Sequence, residues 1–170
     1  MSINKDNIRS QVKDKLLTAL ILAPSLSVLL LSAIYNLSVG MTGNSINSLM
    51  PIMMSVLTVL AVISSAVLSV VYNRRFILII LTVLFFLCFV CYFGFYEAGT
   101  TDIYADGFFE MVMLILSIPV WSYMPLATSI SQNTAIPTLI ITAILALINF
   151  AALIFLTVKK KKRKTLCVKK

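Results

Sequence analysis

The sequence predicts an all-α, polytopic integral membrane protein, and three observations carry that prediction. Sixty per cent of the 170 residues are hydrophobic and only 12% are charged, with a mean hydropathy of +1.02. A soluble domain of this length has too little interior to hide so much apolar surface, so lipid is the solvent. The fourteen Lys and Arg residues fall at three places only: the N-terminus, the pair Arg74 and Arg75, and the C-terminal tail. The four acids beyond the N-terminus, Glu97, Asp102, Asp106 and Glu110, share one stretch that holds no base.

A hydrocarbon core about 30 Å thick needs roughly 20 helical residues to cross it. Five apolar runs are long enough: residues 16–39, 49–72, 76–96, 108–130 and 136–158. The gaps between them are short, so residues 1–170 form a single membrane domain with no room for a soluble one. Residues 1–15 are a basic N-terminus and residues 159–170 a Lys-rich tail. The first run is too long for the apolar core of a signal peptide and lacks a small-x-small cleavage site after it, so it reads as a retained anchor.

Basic residues in short loops set orientation. The N-terminal bases and the Arg74–Arg75 turn belong on the cytoplasmic side, and the acidic stretch after the third run on the other. The N-terminus is therefore expected in the cytoplasm, and the protein in a bacterial cytoplasmic (inner) membrane. If all five runs cross, the eight bases of the tail face the six elsewhere and the bias disappears. If only one of the last two runs crosses, all fourteen bases share one side.

The fourth run is the weak one. Pro119 and Pro125 each remove a backbone donor. Trp121 and Tyr123 prefer the bilayer interface, and Glu110 weakens the start of the run. The expectation is therefore four crossings, with residues 108–130 re-entrant or interfacial. Such a segment is tolerated at membrane depth only under cover of protein or a water cavity. Five full spans, with the tail outside, is the alternative.

Small residues recur every four positions at Ala19, Ala23 and Ser27 in the first run and at Ala61, Ser65 and Ser69 in the second. Such ridges let helix backbones approach closely. They are expected to pack the first two helices together, with self-association into a homo-oligomer as the alternative. Asn149, near the middle of the fifth run, is expected to hold helices together through its amide. Asn36 lies near the outer end of the first helix and reads as an ordinary interfacial residue.

Catalysis is not expected. The chain has no His, the commonest general base and metal ligand. No charged residue occupies the centre of an apolar run, and no Gly-rich loop is built to cradle phosphate. Cys88 and Cys91 have CxxC spacing, but thiol exchange needs a thiolate, and their phenylalanine neighbours offer nothing to stabilise one. No cofactor, metal or nucleic acid is implied. The basic tail, residues 159–164, suits a stop-transfer signal and anionic lipid headgroups.

Asp102, Asp106 and Glu110 are spaced by four. A helix there would align three carboxylates on one face, although the spacing is not that of a calcium loop. This loop is the candidate binding surface for a partner, expected to be another membrane protein. A few spans, short loops and a basic end are also the format of bacterial accessory proteins such as colicin-immunity and conjugative exclusion proteins. That likeness is one of format, and no motif identifies either family. An oligomeric pore or transporter component, with the Pro-broken segment lining its path, is the competing expectation.

Overall fold

The computed structural model describes residues 3–42, 48–100, 115, 118–131 and 134–168. All regular structure among them is helical. Helix α1 runs Ile3–Met41, α2 Leu49–Val71, α3 Arg75–Thr100, α4 Met124–Ile130 and α5 Ala135–Val168. Four stretches are long and apolar enough to cross a membrane: Gln11–Met41, Leu49–Val71, Arg75–Gly94 and Ala135–Lys159.

The α2–α3 connection explains how two spans reverse direction so tightly. Asn73 sits in the left-handed region at φ 58°. Its N–H donates to the Val70 carbonyl at 3.3 Å, and the Arg74 N–H donates to the Ser69 carbonyl at 2.7 Å. This is the Schellman closure of a helix C-terminus, with Asn, the non-Gly residue best suited to that conformation, at the reversal. Helix α3 begins at Arg75, so the turn presents Arg74 and Arg75 together at one end of the bundle.

Two contacts define that basic end. Arg74 pairs with Asp14 of α1 at 2.6 Å, and an Arg75 Nη donates to the Leu156 carbonyl of α5 at 2.6 Å. The start of the first span, the α2–α3 turn and the finish of the last span therefore lie together. An even number of crossings brings both termini to the same end, as four spans require. Helices α1 and α5 both continue past the membrane-length segments, because Lys, Arg and Gln are good helix formers outside lipid.

Packing follows seven-residue periodicity. In α2 the buried positions include Ser55, Thr58, Val62, Ser65 and Ser69. In α5 they are Ala135, Thr138, Thr142, Leu145, Asn149 and Leu156, and in α3 they include Leu78, Leu81, Phe85 and Cys88. Alternating steps of three and four give knobs-into-holes seams between helices. The α3–α5 seam is the most extensive, and α2 also contacts α1, α3, α4 and α5.

Among the described residues of 108–130 there is no helix long enough to cross a membrane. The described part is a helical turn at 118–121, a break at Ser122 and Tyr123, and the seven-residue α4. Pro125 lies in the first turn of α4, where its missing N–H is no loss. This described part packs against the long apolar helices. The Tyr123 hydroxyl meets Thr142, seven residues into α5 and thus about 10 Å along it. The Tyr123 side chain is fully buried in protein, in one core cluster with Val62, Phe85, Val120 and Leu145. Burial is possible because its hydroxyl has a partner.

Candidate functional site

Breaking a helix inside the bilayer frees backbone carbonyls that lipid cannot satisfy. Here α1 satisfies them. Ser32 Oγ donates to the Ser122 carbonyl at 2.9 Å. Asn36 Nδ2 donates to the Trp121 carbonyl at 3.0 Å and to the Ser122 carbonyl at 3.2 Å. Ser32 and Asn36 are one helical turn apart, and both are buried. Across the segment, the Tyr123 hydroxyl and Thr142 Oγ1 are 2.8 Å apart, and Thr142 Oγ1 also donates to its own helix at the Thr138 carbonyl. The turn at Ser122 and Tyr123 is thus clamped between α1 and α5.

This clamp is what sequence reasoning missed. Asn36 was expected at an ordinary interface and is instead 1% exposed. The available signal was the pair Ser32 and Asn36, four residues apart on one face of an apolar helix. In lipid that face is the one requiring a polar partner.

The remaining candidate residues are placed as follows. Ala19, Ala23 and Ser27 are exposed, so the expected packing of this ridge against α2 is corrected. Helix α1 instead turns inward the face carrying Ile21, Ser25, Leu29, Ser32 and Asn36. The reason is that burying hydroxyls and an amide outweighs burying methyls, which lipid solvates equally well. On α2, Ala61 is half-buried while Ser65 and Ser69 are buried. Ser65 Oγ donates across to the Ile21 carbonyl of α1 at 3.1 Å. Asn149 is fully buried, but its Nδ2 donates to the Leu145 carbonyl of its own helix at 2.7 Å. Its Oδ1 has no hydrogen-bond partner. Cys88 packs in the core with Phe85 and Tyr123. Asp102, Asp106 and Glu110 lie outside the described residues.

The buried polar side chains among the described residues are all Ser, Thr or Asn. Most donate to a carbonyl three or four residues back, as Ser55 does to Pro51 and Thr58 to Met54. The site is therefore a hydrogen-bonded structural junction with no carboxylate, amine or guanidinium among its described residues. Comparison with models of known protein families, with curated proteins and with solved structures gave no match.

Proposed function

We propose that this chain is a small non-catalytic membrane protein that acts by binding another membrane protein. The observation that carries the reading is the filled interior. The segment around Ser122 puts Val120 and Tyr123, each no more than 1% exposed, in the core between the long helices. An interior that is filled and, among the described residues, uncharged supports a reading in which outward surfaces and loops do the work. The basic end faces the cytoplasm of a bacterial inner membrane, by the distribution of Lys and Arg. The acidic stretch holding Asp102, Asp106 and Glu110 is the recognition loop. The format is that of bacterial immunity or conjugative exclusion proteins.

Two measurements test this. The chain reconstituted alone leaves vesicle permeability to ions and small dyes unchanged, whereas a pore raises it. In its native membrane it cross-links to a partner, and Asp102→Asn, Asp106→Asn and Glu110→Gln together abolish the cross-link. Survival of the cross-link in the triple variant removes the loop from the proposal.

A further inference from the structure

At the basic end a cleft of about 520 Å³ opens between α1 and the α2–α3 turn, lined by Asp14, Lys15, Thr18, Ala19, Asn73, Arg74, Arg75 and Phe76. Three cations face a single carboxylate, and that carboxylate is already paired with Arg74. The cleft therefore has a positive surplus. Arg74 Nε and Arg75 Nε are buried and have no hydrogen-bond partner. The positive end of the α3 dipole lies at the same place, since the helix starts at Arg75.

The apolar side of the cleft is equally informative. Phe76 is 64% exposed, and Ala19 begins the exposed ridge that continues through Ala23 and Ser27. Ala19 lines the cleft itself, and the small side chains at Ala23 and Ser27 leave little bulk on the exposed face of α1 beyond it. A ligand that fits carries negative charge at one end and a hydrocarbon chain at the other. It also resides at the membrane surface, where Arg74 and Arg75 stand between two spans. Basic pockets between membrane helices bind acidic lipid headgroups in this way.

We infer that this cleft binds the phosphate headgroup of an anionic phospholipid, with one acyl chain lying along Ala19, Ala23 and Ser27. Arg74 and Arg75 offer guanidinium donors to the phosphate, and Lys15 closes the solvent side as a point charge. The basic tail, residues 159–164, is a separate element that attracts acidic membranes without shape selection.

Native mass spectrometry of the full-length protein in detergent tests the inference. The protein is titrated with phosphatidylglycerol and with phosphatidylcholine of identical chains. Wild type retains one phosphatidylglycerol with a preference of roughly twentyfold, from about fivefold per net positive charge. Lys15→Gln and Arg74→Gln each lower the preference about fivefold. Ala19→Phe obstructs the cleft at an exposed position, where folding is indifferent, and also removes the preference. Replacing the six bases of residues 159–164 with Gln leaves the single tight lipid in place. The inference is overturned if Ala19→Phe and Lys15→Gln both retain the wild-type preference, or if the tail variant alone abolishes it. Complete displacement of phosphatidylglycerol by inorganic phosphate also overturns it, because the cleft would then be a free-anion site.

Discussion

The junction of Ser32 and Asn36 with the turn at Ser122 makes a sharp prediction about coupling. Asn36→Leu keeps the branched shape of the side chain while enlarging it, and removes the Nδ2 donations to Ser32 Oγ and to the Trp121 and Ser122 carbonyls. The Trp121 carbonyl is left without its Asn36 donor, at about 2 kcal/mol for a buried unsatisfied group. The same change removes Asn36 Oδ1, which is buried and unpartnered, and recovers a similar amount. The Ser122 carbonyl keeps Ser32. The hydrogen-bonding part of the effect of Asn36→Leu is therefore within about 1 kcal/mol of zero, and overpacking by the larger side chain adds a cost of about 1 to 3 kcal/mol that cancels from the double-mutant cycle. Ser32→Ala alone costs about 1 kcal/mol, because Asn36 still serves the Ser122 carbonyl. In the double variant that carbonyl loses both donors. The pair is then non-additive by about 1 to 2 kcal/mol, well above the mean of about 0.6 kcal/mol for hydrogen bonds measured in membrane proteins. Unfolding in mixed micelles by a denaturing detergent measures this. Trp121 is the single tryptophan of the chain and sits in the junction, so its fluorescence reports the relevant equilibrium. Additivity within about 0.5 kcal/mol would refute the shared-carbonyl account.

Three further outcomes follow from the same geometry. Tyr123→Phe removes the bond to Thr142 and lowers stability by about 1 kcal/mol in the same unfolding assay, while Thr142 keeps its bond to Thr138. Asn73→Gly relieves the left-handed backbone and is neutral or stabilising, whereas Asn73→Ala costs about 1 kcal/mol; equal stability of the two variants would remove the turn argument. With Cys88 and Cys91 changed to Ser, a membrane-impermeant maleimide reaches Cys167 from the same side as Lys5→Cys and from the side opposite Ser45→Cys. Labelling of Cys167 together with the cysteine at position 45 would require five crossings.

The spans were legible because hydropathy measures what lipid selects. The expected runs 49–72 and 76–96 match α2 and the membrane-length part of α3 within a residue or two. The break at Ser122 and Tyr123 was legible for another reason: Pro119 and Pro125 both opposed a continuous helix there. Rotation of the helices was not legible from small residues. The ridge of Ala19, Ala23 and Ser27 and the ridge of Ala61, Ser65 and Ser69 look alike in sequence. Only the second turns inward at Ser65 and Ser69, where hydroxyls are buried. Residue size describes how closely helices can approach, and it does not say which face is the inner one. Asn149 was legible as buried, but not as a residue bonding within its own helix.

That difference points to what specifies this fold. In water an exposed leucine and a buried one differ by about 2 kcal/mol, and the difference orients a helix. In lipid it vanishes. Leu20 is 66% exposed and Phe86 63%, while Leu81 and Phe85 are 0% exposed, and nothing in their chemistry separates the two sets. The inward set is marked by its polar neighbours instead. Ser25, Ser32 and Asn36 fix the face of α1, Ser55, Thr58, Ser65 and Ser69 that of α2, and Thr138, Thr142 and Asn149 that of α5. Each hydroxyl or amide is costly against hydrocarbon and inexpensive against a carbonyl. The broken segment at Trp121 and Ser122 supplies carbonyls in need of donors, and Ser32 and Asn36 supply donors in need of carbonyls. The turn and the rotation of α1 are therefore one solution to a single requirement, and a change that repacks one of them has to repack the other.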